Sequence, residues 1–409
     1  MTAEYLPRVE DKRLQSALER AGGVLIEGPK GCGKSATARQ VAGSLVQVDT
    51  DLNLETQLNT MPDLALDGAT PRVFDEWQEE PRLWNLVRHE IDQRQAPGQF
   101  ILTGSTAPGE EQSRHSGAGR ISRLRMHTFG FYESGHSNGA VSLSKLVEES
   151  ELTHNSETVL DIRGVIDRMV HGGWPGNRHF STAVAQENLR SYAETVAHVD
   201  INVTDGRRRD PVKVQALLRS LARGVATEQS ISAIATDIDI DRATTREYLT
   251  ALQRIFIAEE QRAWSSHLRS RASLRKAPKR HLADPALAAA VLEASPEKLL
   301  QNLEYSGQMF ESQVVHDLRV LTGRQIFHAR DASGLEVDAV FESAGRTVLV
   351  EVKLGQSSQV LNRAAQNLQA FADRFTWDTP PLLLIVTGGN LSVRLPSGVF
   401  VTSLTHLAP

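Results

Sequence analysis

The sequence GPKGCGKS at residues 28–35 decides the fold of the first part of the chain. Its three glycines, Gly28, Gly31 and Gly33, allow a backbone geometry in which successive N–H groups point inward and can bind phosphate oxygens. The β-branched run GGVLIEG precedes the loop, and the helix former SATARQVAGSL follows it. This order of strand, loop and helix predicts a phosphate-binding loop at a helix N-terminus, where the helix dipole also favours an anion.

Two side chains of this loop carry the predicted chemistry. Lys34 can reach the outer phosphates of a nucleotide, and the Ser35 hydroxyl can ligate Mg²⁺. Cys32 is the only cysteine of the chain, so it can form neither an internal disulfide nor a cysteine zinc site, and it suits a reducing compartment. The other predicted nucleotide-binding residues are Gly28, Pro29, Lys30, Gly31, Gly33 and Ala36.

Two later strands end in polar residues that fit the same site. The strand RVFDEW ends in an acid pair, and a nucleotide with Mg²⁺ needs a carboxylate at the end of a neighbouring strand. We predict that Asp75 holds the metal and that Glu76 polarises the attacking water as general base. The strand FILTGST ends in hydroxyls, of which we select Ser105 as the group that senses the γ-phosphate. A turn or helix-cap serine is the alternative.

Length, charge and hydropathy limit the class of protein. A chain of 409 residues exceeds one ordinary hydrophobic core and predicts about two to three domains. The net charge of -5 argues against a protein that coats nucleic acid along its whole surface, so any basic site must be local. The N-terminus lacks a signal-peptide core, and no segment approaches the roughly 20 apolar residues that span a bilayer. We expect a cytoplasmic protein with no membrane contact.

The middle of the chain is predicted to be helical. A turn cluster, HGGWPG, precedes two helices at about residues 182–199 and 212–222. Residues 230–260 then give a helix, a polar turn and a second helix, which is the spacing of a helix-turn-helix and is expected to be winged. Thr244, Thr245 and Arg246 begin its candidate recognition helix.

A basic segment follows this motif. Residues 262–281 contain seven positive side chains and no Asp or Glu, a pattern that favours nucleic-acid phosphates, with duplex DNA as the expected partner. Winged helices also dock proteins, and a charge run is often only a solvated face, so a protein partner stays open. The seven residues are Arg262, Arg269, Arg271, Arg275, Lys276, Lys279 and Arg280.

The last hundred residues return to alternating strands and helices. In LEVDAVF, Glu336 and Asp338 share one face of a strand, and in VLVEVKLG, Glu351 and Lys353 share one face of the next. If these strands pair, carboxylates and an ammonium converge, and burying them without a metal or partner is costly. An ordinary ion pair between Glu351 and Lys353 is the alternative.

The motifs GPKGCGKS, VFDEWQ, ILTGS and the GR of SGAGRIS together resemble the bacterial AAA-type P-loop ATPases that carry a C-terminal domain of unknown function, the DUF4143 type. The resemblance covers nearly the whole chain, although its motifs are specific only in the ATPase part. It implies a five-stranded core that uses ATP and Mg²⁺, with Arg120 as candidate arginine finger. An exposed, salt-bridging arginine is the alternative, and a finger acting in trans would require a homo-oligomer.

The C-terminal pattern resembles restriction-endonuclease-like folds of the PD-(D/E)xK type. Asp338, then twelve residues, then Glu351-Val352-Lys353 matches their D-(E)xK arrangement, and Glu311 matches the acid often found in the preceding helix. The resemblance implies that Glu311, Asp338 and Glu351 bind a metal. Lys353 would orient or activate the water that attacks a phosphodiester.

We therefore predict an α/β chain in four parts. These are an AAA+-type P-loop ATPase core (1–140), a helical lid (141–225), a winged helix-turn-helix with the basic segment (226–290) and a PD-(D/E)xK-like domain (291–409). One hypothesis is an ATPase that binds DNA and cleaves it with metal. The other is a regulatory ATPase of toxin–antitoxin or phage-defence type whose C-terminal domain binds a partner without cleavage.

Overall fold

The computed structural model describes residues 4–107, 117–203, 206–265, 277–331 and 333–409. Contacts between residues divide the chain into two compact units. The first comprises Met1–Thr128, Asp200–Arg208 and Ala251–Ile257, and the second comprises Phe129–Val199, Arg209–Thr250 and Ala258–Pro409. The division into four parts with boundaries near 140, 225 and 290 stays a prediction.

The first unit contains a parallel five-stranded sheet. Its strands are β1 (Gly23–Glu27), β2 (Ser44–Gln47), β3 (Arg72–Asp75), β4 (Phe100–Gly104) and β5 (Ile121–Arg125). Their order across the sheet is β2-β3-β4-β1-β5. Strand β4 therefore lies between β1, which leads into the glycine-rich loop, and β3, which ends in the acid pair. The carboxyl ends of all three strands meet at one edge of the sheet.

Helices cover both faces of this sheet. They are α1 (Val9–Leu18), α2 (Lys34–Val41), α3 (Leu54–Thr60), α4 (Pro62–Leu66) and α5 (Arg82–Arg94). Along β1, Leu25 packs into an apolar cluster with α5, whereas Val24 and Ile26 pack into a second cluster with α1. Burial on both faces is typical of a parallel sheet. The predicted stripe of α5 is buried as Leu83, Trp84, Val87 and Ile91.

The middle of the chain is helical, as predicted. Its helices are α6 (Leu143–Glu149), α7 (Ile162–His171), α8 (Thr182–Thr195), α9 (Ile201–Val203), α10 (Pro211–Arg223), α11 (Ile231–Asp237), α12 (Arg242–Arg254), α13 (Pro285–Val291) and α14 (Pro296–Gln301). A π-helical turn, Val196–Asp200, links α8 to α9. Helix α13 packs against α7, α8 and α10, because its buried alanines allow close approach. Side chains cap the N-termini of most of these helices, among them Ser142, Asp161, Ser181, Asp210, Ser230, Asp284 and Ser295.

Two small sheets accompany these helices in the second unit. Strands β7 (Thr227–Glu228), β8 (Ala258–Gln261) and β9 (Lys279–Leu282) form an antiparallel sheet in the order β7-β9-β8. Helices α11 and α12 lie between β7 and β8 in the chain. Strand β6 (Val141–Ser142) pairs in parallel with a C-terminal strand, Leu407–Ala408.

The C-terminal part is a six-stranded sheet with helices on both faces. Its strands are β10 (Phe327–Arg330), β11 (Glu336–Ser343), β12 (Arg346–Lys353), β13 (Leu382–Thr387), β14 (Val393–Arg394) and β15 (Phe400–Ser403), followed by β16 (Leu407–Ala408) in the small sheet. The order is β10-β11-β12-β13-β15-β14. Ala344 and Gly345, both with positive φ, form the tight turn between β11 and β12. Helix α15 (Leu303–Thr322) packs against β12, and α16 (Ser358–Ala372) packs against β11, β12 and β13.

Short 3-10 helices also occur among the described residues, at Trp77–Glu79, Pro175–Asn177 and Leu404–His406. Over the described ranges, no helix has both the length and the apolar character needed to cross a lipid bilayer.

Candidate nucleotide site and C-terminal carboxylate cleft

The glycine-rich loop has the backbone conformation that its sequence predicts. Gly31 and Gly33 have φ of 75° and 108°, in the left-handed region, and α2 begins directly after Gly33. A Cβ atom on Gly28 would lie 2.3 Å from the carbonyl oxygen of Met126, so only glycine fits there. The guanidinium of Arg8 donates hydrogen bonds of 2.8 Å to the carbonyl oxygens of Cys32, in the loop, and of His127, which follows β5. Arg8 therefore ties the loop to the segment after β5.

The two lysines of the loop have different partners. Lys34 is buried, and its Nζ donates 3.0 Å hydrogen bonds to the carbonyl oxygens of Gly28 and Pro29. Lys30 instead forms a 2.7 Å ion pair with Oδ1 of Asp200. Lys34 Nζ is therefore held against the backbone of the loop itself, whereas Lys30 Nζ is held by Asp200.

The loop and the acid strand meet at a hydrogen-bonded group of oxygens. The Ser35 hydroxyl donates to Oδ1 of Asp75 at 2.6 Å, and the Thr103 hydroxyl donates to the same oxygen at 2.5 Å. Arg39 places a guanidinium nitrogen 3.6 Å from Oδ2 of Asp75. Thr103 is a site residue that the sequence did not select. Its signal was available, because Thr103 is among the hydroxyls at the end of β4.

Glu76 follows Asp75 in a left-handed conformation, with φ 58° and ψ 47°. Such a backbone is uncommon for a residue with a side chain, and it occurs often at functional sites. The Glu76 N–H donates to Thr103 Oγ1 at 3.1 Å. Its carboxylate accepts hydrogen bonds from the Gln78 amide and, at 3.4 Å, from the Ser105 hydroxyl. Ser105 thus contacts Glu76, and Gln78 is a second residue that the sequence did not select.

Arg120 is at the opposite edge of the sheet from the loop. It precedes β5, and its carbonyl oxygen accepts a 3.1 Å hydrogen bond from the N–H of Gly23, at the start of β1, whereas the loop follows the end of β1. Its Nε donates to Oδ1 of Asp92 at 2.6 Å, and both side chains are partly exposed. This hydrogen bond lowers the pKa of Asp92. Within one chain Arg120 is therefore not brought together with Lys34 and Asp75.

The four predicted C-terminal site residues come together. Glu311, Asp338, Glu351 and Lys353 line one cleft of about 590 Å³. Pairing of Ala339 with Val350 sets the acids of β11 and β12 side by side, and α15 supplies Glu311. Lys353 Nζ lies 2.8 Å from Glu351 Oε1 and 3.7 Å from Asp338 Oδ2. The second carboxylate oxygen of Glu351, Oε2, is buried without a hydrogen-bond partner.

A second lysine lies inside this group of carboxylates. The Nζ of Lys279, on β9, lies 2.6 Å from Glu311 Oε1, 2.5 Å from Glu336 Oε1 and 3.7 Å from Asp338 Oδ1. In the described part of the chain, no group of three or more His, Cys, Asp or Glu side chains is arranged to hold a metal ion. As they stand, the carboxylates do not fit a divalent cation, and the metal role of Glu311, Asp338 and Glu351 stays a prediction.

Burial and mutual repulsion perturb the titration of this group. Burial raises the pKa of Glu311 to about 8, and the nearby Asp338 adds to the shift. Burial, again with Asp338, raises the pKa of Glu351 to about 7. Burial alone would lower the pKa of Lys279, but attraction to Glu311, Asp338 and Glu336 outweighs it and raises the pKa. Lys279 is therefore charged throughout the physiological range.

Three side chains of the predicted DNA-contacting set are buried. Lys279 is buried among carboxylates, and Arg280 is buried with a 2.6 Å ion pair to Glu260, so neither belongs to a solvent-facing basic surface. Thr245 is buried as well, and its hydroxyl donates to the carbonyl oxygen of Asp241, so it cannot meet a groove. Four of the seven basic residues lie outside the described residues: Arg269, Arg271, Arg275 and Lys276.

Comparisons with known proteins divide the chain among three families. Residues 21–135 match the AAA domain family, residues 162–298 match a domain of unknown function (DUF8612), and residues 306–407 match another (DUF4143). Uncharacterized proteins of Mycobacterium bovis and Mycobacterium tuberculosis are each 26% identical over 352 residues, which is 83% of this chain and 72% of the relative. A Walker-type ATPase of Pyrococcus abyssi is 16% identical, with a TM-score of 0.42, over 69% of this chain and 94% of that protein.

Proposed function

Because the chain is an AAA-type P-loop ATPase with a C-terminal DUF4143 domain, we propose that it hydrolyses ATP with Mg²⁺ at the loop of residues 28–35. The observation that carries this proposal is the 2.6 Å hydrogen bond from Ser35 to Asp75. It joins a hydroxyl at the start of α2 to a carboxylate at the end of β3. These are the oxygen ligands that Mg²⁺ on a nucleotide takes from such a protein.

Each side chain of the site has a distinct task in this proposal. Lys34 exchanges its hydrogen bonds to loop carbonyls for bonds to the outer phosphate oxygens, and the loop N–H groups bind the phosphates nearer the sugar. Ser35 and Asp75 would hold Mg²⁺, which, when bound, neutralises developing charge on the phosphates. Glu76 orients the attacking water and accepts its proton. Ser105 and Gln78, which contact the Glu76 carboxylate, position that base.

The test is ATP turnover by the full chain, with Mg²⁺ and with a chelator. Lys34→Ala should lower turnover at least about a hundredfold, because it removes a fixed positive charge from the phosphates. Lys30→Ala is the matched control from the same loop, since the Lys30 ammonium pairs with Asp200 rather than with the loop backbone. Equal turnover in wild type and Lys34→Ala would remove the ATPase assignment.

We also propose that the second unit binds duplex DNA through a winged helix-turn-helix. The supporting observation is the chain order β7, α11, α12, β8 and β9, in which an antiparallel strand pair follows two helices joined by a short turn. Arg246, at the start of α12, is exposed. The basic side chains between β8 and β9 then supply phosphate contacts. A protein partner at this surface and a homo-oligomer are further predictions of the sequence.

The dependence of DNA retention on salt tests this second proposal. Reversing Arg269, Arg271, Arg275 and Lys276 to Glu should weaken retention and reduce the slope of log affinity against log salt. The control variant changes four exposed basic residues elsewhere to Glu, so its net charge changes by the same amount. These residues are Lys12, Arg20, Lys145 and Arg163. Equal slopes in the two variants would exclude the basic segment as the DNA contact.

Of the two sequence-based hypotheses, Lys279 favours the regulatory ATPase whose C-terminal domain binds a partner without cleavage. Its ammonium lies 2.6 Å from Glu311 and 3.7 Å from Asp338, two of the carboxylates that a nuclease would use for metal. The turnover samples, with DNA or RNA and Mg²⁺ or Mn²⁺ added, can be examined for strand breaks. Breaks that appear in wild type and disappear in Lys353→Ala would reverse this preference.

A further inference from the structure

We propose that Lys279 is a built-in cation that occupies the carboxylate cluster of Glu311, Glu336 and Asp338 and keeps divalent metal ions out of the C-terminal domain. Its Nζ lies within 2.6 Å of one oxygen of Glu311 and of Glu336, and 3.7 Å from Asp338. An ammonium has three N–H donors, and here three carboxylates surround it. The cation that neutralises these carboxylates therefore belongs to the chain itself.

The backbone fixes Lys279 in this position. Strand β9 is the central strand of its small sheet, where Lys279 pairs with Glu228 of β7 and with Gln261 of β8. The side chain of Gln261 in turn donates to the carbonyl oxygens of Asp338, at 2.8 Å, and Phe327, at 3.0 Å. Because the ladder holds β9 on both sides, the backbone of Lys279 is fixed beside the carboxylates. Only 4% of the Lys279 side chain is exposed.

Charge balance gives Lys279 a role that Lys353 does not fill. Lys353 pairs with Glu351 at 2.8 Å and is 3.7 Å from Asp338, whereas only Lys279 contacts Glu311 and Glu336 in the described part of the chain. Removing the Lys279 charge would leave these acids without their main counter-ion, which is strongly unfavourable for buried groups. The same removal exposes carboxylate oxygens, the ligands that hard divalent cations prefer. Loss of Lys279 should therefore create a metal site.

Mn²⁺ titration of the full chain tests this inference. Titrations are done without nucleotide in a Ser35→Ala background, which weakens the metal site proposed at the phosphate loop, and bound Mn²⁺ is followed by electron paramagnetic resonance. The parent chain and Lys279→Arg, which keeps the charge, should show no saturable Mn²⁺ binding. Lys279→Met should gain one site and a melting temperature that rises with Mn²⁺. Adding Asp338→Asn to Lys279→Met should abolish both effects.

Two outcomes would overturn the proposal. One is saturable Mn²⁺ binding by the parent chain that Asp338→Asn removes. The other is a folded Lys279→Met variant, with the circular dichroism spectrum of the parent, that gains no site. If Lys279→Met fails to fold, Lys279→Gln, which also removes the charge, takes its place under the same criteria. None of these readouts depends on ATP turnover, so the inference and the ATPase proposal fail separately.

Discussion

The hydroxyl of Ser35 donates a 2.6 Å hydrogen bond to Oδ1 of Asp75, 40 positions later in the chain. The strand order explains this contact. Strand β4 lies between β1 and β3, and its Thr103 donates to the same carboxylate oxygen. The loop, the acid and the intervening hydroxyl thus converge because three parallel strands end at one edge. Changes at this edge should separate nucleotide binding from hydrolysis.

Glu76→Gln should keep ATP binding and lose hydrolysis. The variant retains the shape and hydrogen-bonding capacity of residue 76 but removes the base, so we expect turnover to fall about a hundredfold to ten-thousandfold. The affinity for ATP, measured with a fluorescent analogue, should stay close to that of the wild type. Glu79→Gln, a nearby exposed acid, is the control and should change neither quantity. Full turnover in Glu76→Gln would show that another group is the base.

Gly28→Ala should prevent nucleotide binding. The added Cβ would lie 2.3 Å from the carbonyl oxygen of Met126, a backbone atom that follows β5 and cannot move independently. The loop must therefore shift away from the conformation that binds phosphate. Gly176→Ala is the matched control, because nothing lies within 4 Å of its added Cβ. Analogue binding and circular dichroism should be measured on both; normal affinity in Gly28→Ala would contradict the loop assignment.

The sequence predicted those parts of the site that depend on local pattern. Glycines at fixed spacing define the loop, and an acid pair after a β-branched run defines the end of β3, so Lys34, Ser35, Asp75 and Glu76 could be assigned. No pattern in the sequence singled out Gln78. Thr103 was one of the hydroxyls at the end of β4, but its bond to Asp75 depends on which strand lies next to β3. Parallel strands are joined through long crossovers, and their order across the sheet is not written in the local pattern.

Lys279 shows more clearly that a local sequence pattern does not predict contacts between distant strands. In sequence it belongs to a run of positive charges, which indicates a solvated, phosphate-binding surface. In the structure it is buried against Glu311, 32 positions away. Alternation along β11 and β12 correctly predicted that Asp338, Glu351 and Lys353 converge. No pattern within either segment indicates that β9 brings a second ammonium to the same cleft.

Arg120→Ala should leave the affinity for ATP unchanged, because Arg120 lies at the sheet edge opposite the loop. If it acts as an arginine finger in trans, the variant should lose turnover alone and regain part of it when mixed with Lys34→Ala, whose intact Arg120 would serve the neighbouring chain. Arg123→Ala is the control, since Arg123 is an exposed residue of β5 that lies 3.8 Å from Glu27. If the mixture is no more active than its components, Arg120 does not act in trans, and its role is the hydrogen bond to Asp92.

Acid should destabilise the second unit through His136. Burial, with repulsion from Arg168 and His171, lowers the pKa of His136 from 6.5 to about 4. Between pH 6.5 and about 4, His136 therefore binds a proton in the unfolded chain but not in the folded chain. The contribution of neutral His136 to the free energy of unfolding is complete above about pH 6.5 and is lost as the pH falls towards 4. His136→Asn, which can keep a contact to Ser134, should show a smaller drop in unfolding midpoint across this range. Exposed His89→Asn serves as the control, and identical pH slopes in all three chains would contradict the assignment.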